Sequence, residues 1–297
     1  MTSVLYDTPG PKAKARNWIY TVVFLVLLGL ALWWALSLMA DKHQLDADKW
    51  SPFVTDGQIW STFLIPGLLE TLKAGAIAMV IALPLGALLG IGRLSDHAWV
   101  RVPVGAVVEF FRAIPVLMLI LFGVAFYRVF TDVSSDIRPL YAVVTGLVLY
   151  NAAVIAEIVR AGVLSLPRGQ TDAAKAIGMR KGQTMLYVLI PQAVTAMLPA
   201  LVSQLVVILK DTALGGAVLG LTDLMSMNRQ ISANYSNTIA TLFVIALLYI
   251  AVNFALTTFA SWLEGRLRKS SKSTGAVVAG DVAEVDAGGA AGVGEAP

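Results

Sequence analysis

The 297-residue chain is 57% hydrophobic and only 14% charged, with a net charge of +3 and a mean hydropathy of +0.75. A soluble domain contains roughly 25% charged residues, so this composition excludes an ordinary soluble enzyme and indicates a membrane protein. The absence of cysteine excludes disulfides and thiolate metal sites. The two histidines, His43 and His97, are far apart in sequence, so we predict no metal site.

Six long apolar segments recur along the chain, and a helix needs about 20 such residues to cross the hydrocarbon core. They lie at residues 18–40, 71–92, 104–130, 139–164, 193–221 and 238–263. The fifth contains a polar break at 210–212, and residues 56–69 and 222–237 are predicted to be short surface elements at the membrane boundary. The pattern predicts an all-α polytopic membrane protein of about six transmembrane helices, the first of them uncleaved.

The distribution of basic residues predicts the orientation, because short cytoplasmic loops are enriched in Lys and Arg. With the N-terminus inside, the inner segments hold fourteen Lys and Arg residues and the outer segments five. We therefore predict that both termini are cytoplasmic. The basic balance then needs no nucleic acid as a partner, since lipid and the cytoplasmic face account for it.

The segment "TDAAKAIGMRKGQ" lies between the fourth and fifth apolar runs, on the predicted cytoplasmic side. Thr171 is a suitable N-cap for a short helix, and Gly178 stands where a left-handed C-cap belongs. A second helix is predicted to start near Gln183. The residues alone leave two interpretations open: a small helix that docks on another protein, or a solvated loop that only connects two spans.

The spacing from this helix to Pro191 resembles the cytoplasmic signature of bacterial ABC-transporter permeases. That signature is Glu-Ala-Ala, three residues, Gly, nine residues, then Ile-x-Leu-Pro; here Val188 and Ile190 hold the Ile and Leu places, and Asp172 stands in the place of the Glu. The resemblance implies that the 171–190 segment, called the coupling loop below, inserts into a groove on an ATP-binding subunit. The residues expected to couple to that ATPase are Asp172, Ala173, Ala174, Gly178, Arg180 and Pro191.

Longer stretches are similar to one branch of that family, the polar-amino-acid permeases. They are "EFFRAIPVLMLILF", "AEIVRAGVLSLPRGQTDAAKAIGM" and "PQAVTAMLPALVSQLVVILKDTAL". The chain has no G-x-x-x-x-G-K-[ST] phosphate loop, so we expect it to bind no cofactor itself and to depend on ATP hydrolysis by a partner. The expected division is a cytoplasmic segment at 1–17, an extra first helix at 18–40, an ABC permease domain at 57–268 and a disordered cytoplasmic tail at 269–297.

Ionisable residues inside the apolar segments are costly and invite functional hypotheses. Glu109 and Arg112 are three residues apart, as are Glu157 and Arg160, so each pair can lie on one helical face. Glu109, Arg112 and Glu157, together with Asn151, Lys210 and Asp211, are candidates for a polar path that carries an amino-acid zwitterion. Internal ion pairs, or side chains that snorkel to the interface, would explain the same charges without any role in transport.

The sequence thus predicts a type I ABC importer permease for polar amino acids, with glutamate or a related acidic amino acid as the first expectation. Its expected location is the bacterial cytoplasmic membrane. The resemblance implies ATPase subunits, a second permease subunit and an extracytoplasmic solute-binding protein as partners. The alternative is an ion-coupled secondary transporter in which a carboxylate such as Glu109 carries protons. Gly178→Val and Ala174→Asp are expected to abolish transport and ATPase association.

Overall fold

The structure, a computed structural model, describes residues 10–272, and every regular element within that range is helical. The predicted tail therefore lies almost wholly outside the described residues. The first elements are α1 (Pro11–Asp41), α2 (Ala47–Trp50), α3 (Pro52–Thr55), π-helix π1 (Ile59–Leu64), α4 (Ile65–Arg93), α5 (Ala98–Ala113) and α6 (Val116–Phe130). The remaining elements are α7 (Arg138–Leu164), α8 (Arg168–Ala176), α9 (Lys181–Gln183), π-helix π2 (Thr184–Leu189), α10 (Ile190–Leu219), α11 (Met227–Tyr235) and α12 (Thr238–Lys272).

Five continuous helical stretches are long and apolar enough to cross a membrane. They are Pro11–Asp41, Ile59–Arg93, Arg138–Leu164, Lys181–Ala217 and Thr238–Trp262. The helices α5 and α6 together form a sixth apolar stretch, but they are bent by 98°. The prediction of about six spans is confirmed, and the apolar segment predicted at 104–130 consists of two helices that meet at this bend. Pro115 follows Ile114 at the bend, and a residue before proline is pushed out of the α region.

Two predictions about the spans are wrong. Residues 56–69 are not a separate surface element, because π1 runs directly into α4 and the two form one 35-residue stretch. The polar break predicted at 210–212 does not interrupt α10, which is continuous to Leu219. Burial explains the second error: Thr212 is fully buried and its hydroxyl donates to Leu209 O at 2.7 Å, so the polar group is satisfied within the helix.

Both π-helices are followed by a proline near the start of the next α-helix. Pro66 is the second residue of α4, and Pro191 is the second residue of α10. Proline has no backbone N–H and its ring crowds the preceding turn, so the regular α-helical hydrogen-bond ladder cannot continue through it. One wider turn before each proline accommodates the missing bond.

The central helix is α7, which packs against α4, α5, α6 and α10. Glycines permit the closest of these contacts. A Cβ placed on Gly86 would lie 2.7 Å from Ala152 O, and one on Gly90 would lie 2.7 Å from Ala156 O. The two glycines therefore serve packing between helices of one subunit. Helix α1, in contrast, contains no buried residue.

The segment after α10 was predicted to be a surface element, but its first part enters the bundle. Leu221, Asp223 and Leu224 are buried, and only the following helix α11 has the polar surface that was expected. The backbone N–H of Leu224 donates to Thr71 Oγ1 of α4 at 3.0 Å, which holds this loop against the end of the bundle remote from the coupling loop.

Candidate functional site

The coupling loop begins with a longer helix than the sequence predicted. Helix α8 starts at Arg168, with Pro167 as its N-cap at φ −56° and ψ 132°. Thr171 is therefore inside the helix, and the prediction that it caps the N-terminus is wrong. The ring of Pro167 fixes its φ near the value that precedes a helix. Helix α8 therefore starts about one turn earlier than the start predicted from Thr171.

Gly178 ends α8 as predicted. Its φ is +80°, the left-handed region that glycine adopts without a Cβ penalty. The N–H of Gly178 donates to Lys175 O at 2.9 Å, and the N–H of Met179 donates to Ala174 O at 3.0 Å. These two bonds form a Schellman motif, which satisfies carbonyls that the helix end would otherwise leave free.

The residues of α8 that were expected to contact the ATPase are not all exposed. Ala174 is only 4% exposed, so it packs inward against the protein's own chain. Asp172 and Ala173 are exposed, and Ile177 is 78% exposed directly before the glycine turn. A docking partner would meet these three residues. Ala174→Asp would consequently also disturb the packing of α8 against the rest of the chain.

Sequence reasoning missed Ile177, although a large apolar residue beside the C-cap glycine of a polar loop is a visible signal. Such an isoleucine often packs inside the protein, and only the structure shows that this side chain is exposed. Polar contacts hold the rest of the coupling loop. The N–H of Arg180 donates to Gln183 Oε1 at 2.9 Å, and Gln192 Nε2 donates to Gln170 Oε1 at 3.2 Å, which ties α8 to the start of α10.

Five charged residues from three helices form a connected cluster near the same end of the bundle. We call it the charge network; its members are Arg93 of α4, Glu109 and Arg112 of α5, and Glu157 and Arg160 of α7. The guanidinium of Arg93 bridges both acids, with its Nη1 2.7 Å from Glu157 Oε2 and its Nη2 3.0 Å from Glu109 Oε1.

The two i, i+3 ion pairs predicted from sequence are confirmed within this network. Arg112 Nη1 lies 3.3 Å from Glu109 Oε2, and Arg160 Nη2 lies 2.5 Å from Glu157 Oε1. Arg93 joins the two pairs, and sequence reasoning missed it. Its contact with Glu157 spans 64 positions, so no local pattern could have shown it. The side chain of Arg93 is also the most buried of the five, at 16% exposed.

The other candidate path residues do not join this network. Asn151 is fully buried, donates to Leu147 O at 2.7 Å, and accepts a hydrogen bond from Gln204 Nε2 of α10. It thus belongs to the contact between α7 and α10 instead of an open path. Lys210 is exposed and Asp211 is partly buried on α10. Lys210 lines a cleft of about 320 Å³ that also includes Met225 and Tyr249.

The chain matches known transporter proteins along most of its length. Residues 82–269 match the model of the family described as "Binding-protein-dependent transport system inner membrane component". The glutamate transport system permease protein GluD of Corynebacterium glutamicum is 45% identical over 231 residues, which are 78% of this chain and 84% of the relative. The glutamate/glutamine/aspartate/asparagine transport system permease protein BztC of Rhodobacter capsulatus is 31% identical over 210 residues. The chain spans about half of the length of BztC (48%).

Solved structures resemble the fold over the same region. An amino acid ABC transporter crystallised with histidines has a TM-score of 0.64 and 27% identity, covering 70% of this chain and 95% of that one. The methionine ABC transporter MetNI in an inward-facing conformation has a TM-score of 0.60 and 26% identity, covering 72% of this chain and 99% of that one. Family match, close relative and fold agree with the expectation raised by the coupling loop. This chain belongs to the binding-protein-dependent transport system inner membrane components, and it is a polytopic inner-membrane permease subunit of an amino-acid ABC importer, not an enzyme.

Proposed function

We propose that this permease carries acidic amino acids, glutamate first among them, into the cell at the expense of ATP hydrolysed by a partner subunit. The observation that carries the substrate class is the 45% identity to a relative named as a glutamate permease over 84% of that relative's length. Another relative, the glutamate/aspartate import permease protein GltK of Escherichia coli, is 33% identical over 93% of its length and has a related name.

The coupling loop supports the proposal that the energy comes from outside the chain. Asp172, Ala173 and Ile177 form an exposed face on a helix that is fixed at both ends, by Pro167 and by the Gly178 turn. We propose that ATPase subunits receive this face. A second permease subunit and an extracytoplasmic solute-binding protein complete the proposed assembly, with both termini of this chain in the cytoplasm.

The substrate path is proposed to use charges that the protein leaves accessible. Lys210 lies within α10 and lines the cleft beside Tyr249, and a cation at membrane depth is stable only where it meets water or an anion. A dicarboxylate substrate supplies such an anion. Asp211 and three members of the charge network, Glu109, Arg112 and the mostly buried Glu157, are proposed to contact the zwitterion as it passes.

The alternative, an ion-coupled secondary transporter, assigned proton transport to Glu109. That carboxylate lies between Arg93 and Arg112, at 3.0 and 3.3 Å. The carboxylate is thus engaged in ion pairs on both sides and joins α4 to α5, a structural role that explains its charge without proton transport. The geometry therefore favours the ATP-driven reading.

Uptake in the source bacterium tests the proposal. Cells lacking the gene, and cells in which it is restored, would be given labelled glutamate, aspartate, glutamine and arginine. We expect restored uptake of the two acidic amino acids when the proton gradient is collapsed while ATP is maintained, and no uptake when ATP is depleted. Uptake that follows the gradient, or a preference for arginine, would contradict the proposal.

Matched variants test the cleft in the same assay. Lys210→Met is expected to raise the apparent KM for glutamate about tenfold or more, because a hydrogen bond to a charged group contributes about 1.5–3 kcal/mol. Lys210→Arg keeps the charge and is expected to keep most of the affinity. An unchanged KM in Lys210→Met would remove Lys210 from the path.

A further inference from the structure

The coupling loop is fastened to the short turn that connects α4 and α5. Lys181, at the start of α9, reaches across 87 positions and donates from its Nζ to Leu94 O at 2.8 Å. The same ammonium forms an ion pair with the carboxylate of Asp96. The hydrogen bond of Lys181 holds the pKa of Asp96 below its usual range, so the carboxylate is ionised throughout the neutral range.

The turn that Lys181 holds is itself well fixed. Ser95 Oγ accepts a hydrogen bond from the N–H of His97 at 3.2 Å, and Ser95 O accepts one from Arg101 Nη1 of α5 at 3.1 Å. With Leu94 bonded from one side and Ser95 from the other, a displacement of Lys181 moves the turn as a unit. A looser turn would absorb such a displacement locally.

The turn leads directly into the charge network. Arg93 precedes Leu94 in the chain and bonds Glu157 of α7 and Glu109 of α5. The carbonyl that accepts from Lys181 and the guanidinium that joins three helices therefore belong to adjacent residues. A path of backbone segments and polar contacts leads from α8, through the Gly178 turn and Lys181, to Arg93 and the residues of α5 and α7 that it contacts.

The Lys181–Asp96 contact is poorly suited to a role in stability. Its side chains are 46% and 75% exposed, and exposed ion pairs contribute at most about 1 kcal/mol. It also crosses a cleft of about 530 Å³, lined by Met185 and Leu186 on the side of the coupling loop and by Ile91 and Val100 on the other. A side chain that bridges open space between two elements adds little packing, but it constrains their separation.

We propose that Lys181 is a positioning residue that transmits a displacement of α8 to the turn between α4 and α5. Through Arg93, the displacement then reaches the charge network that holds α4, α5 and α7 together. The inference rests on the proposed function, since it needs an ATPase that moves α8. Coupling requires an element with two arrangements whose balance both sites bias. The charge network is proposed to be that element, because its ion pairs join three helices.

The test compares uptake with ATP hydrolysis in proteoliposomes that contain the whole transporter, purified from the source bacterium through a tag on this chain. The variants are Lys181→Met, Asp96→Asn and the double exchange Lys181→Asp with Asp96→Lys. Lys14→Met, at an exposed lysine of α1, is the control. The measured quantities are the yield of ATPase that co-purifies and the number of amino acids imported per ATP hydrolysed.

We expect Lys181→Met and Asp96→Asn to retain the ATPase at wild-type yield, while the amino acids imported per ATP fall about fivefold or more, the lower end of typical coupling energies. The double exchange restores the ion pair but not the bond to Leu94 O, so it is expected to restore the ratio only in part, above that of Lys181→Met, and the control is expected to leave it unchanged. Two results would overturn the inference: a wild-type ratio in Lys181→Met, or a loss of bound ATPase that the double exchange does not repair. If wild-type vesicles themselves show no ATP-dependent uptake, the proposed function fails instead, and the two failures are thereby distinguished.

Discussion

At the scale of single residues, the coupling loop depends on where each side chain points. Ala173 and Ala174 are neighbours of the same type, yet the first is exposed and the second is 4% exposed. Gly178 has no atom within 4 Å of the place where a Cβ would stand, so its requirement for glycine comes from its backbone and not from crowding. Its φ of +80° is strained for any residue with a branched side chain.

Gly178→Val is therefore expected to reshape the Schellman turn at a local cost of about 1–2 kcal/mol or more. Ile177 and the exposed face of α8 would lose their orientation, and we expect the yield of co-purified ATPase to fall sharply while the protein still inserts. Gly182→Val is the matched control, because Gly182 also has open space around it but lies in the helical region. Equal ATPase yields from the two variants would contradict the prediction.

At the scale of elements, α4 and α7 pack through glycine. A Cβ on Gly86 would meet the Ala152 carbonyl at 2.7 Å and Ile155 Cβ at 2.6 Å, and backbone atoms cannot yield as a flexible side chain does. The helices would have to separate. Since α7 also supports α5, α6 and α10, a shift at this contact reaches most of the bundle.

Gly86→Ala is expected to destabilise the protein by about 1–3 kcal/mol, the usual cost of overpacking. Thermal unfolding in detergent, followed by size-exclusion chromatography, measures the effect. Gly105→Ala, in the interior of α5, is the control, because its Cβ would meet nothing within 4 Å and alanine favours a helix. A melting temperature for Gly86→Ala equal to that of the control would show that the helices accommodate the methyl group.

The bend between α5 and α6 shows what an apolar pattern conceals. Hydropathy is continuous from 104 to 130, and the proline alone is compatible with a kinked but continuous helix. In the structure Ile114 adopts φ −86° and ψ 130°, an extended conformation that ends α5. The steric restriction before Pro115 was readable from the sequence, whereas the 98° angle depends on how α6 packs along α7.

At the scale of the whole molecule, polar contacts tie the spans together at different levels of the bundle. The charge network joins α4, α5 and α7 near the coupling loop, and Asn151 with Gln204 joins α7 to α10 deeper in the bundle. At the remote end, the buried Asp223 accepts from the Ser226 N–H at 3.0 Å and from the Tyr249 hydroxyl of α12 at 3.4 Å. Transport by alternating access would require one of these ends to loosen.

Asp223 lies in the loop between two spans, and burial raises its pKa to about 6, against the effect of the hydrogen bonds it accepts. The native state therefore binds this proton more tightly than the unfolded chain does, so its contribution to stability is present at low pH and is lost as pH rises from about 4 to about 6. Two pKa units correspond to about 3 kcal/mol.

Asp223→Asn removes this dependence while keeping an acceptor for Ser226. We expect the variant to gain stability over the wild type by up to about 3 kcal/mol as pH is raised from 4.5 to 7.5, measured as the difference between their melting temperatures. Asp48→Asn, at an exposed acid, is the control for the loss of one carboxylate. A difference that stays constant with pH would contradict the raised pKa.

The sequence by itself determined the features that depend on local chemistry. The lengths of the apolar segments predicted the number of spans, and the glycine at 178 predicted the left-handed end of α8. The i, i+3 spacing predicted the pairs Glu109–Arg112 and Glu157–Arg160. The spacing of the coupling loop was enough to indicate the family, because docking on another protein constrains a short segment independently of the rest of the bundle.

Only the tertiary structure decided the contacts between residues far apart in the chain. Arg93 joins the two ion pairs, and Lys181 donates a hydrogen bond to Leu94 O. Asp223 is buried, although it belongs to a segment that hydropathy places at the surface. Helical periodicity specifies which face of a helix is apolar, but in a membrane both lipid and protein satisfy an apolar face. The choice between them, and with it the partner of each buried charge, is made when the helices pack.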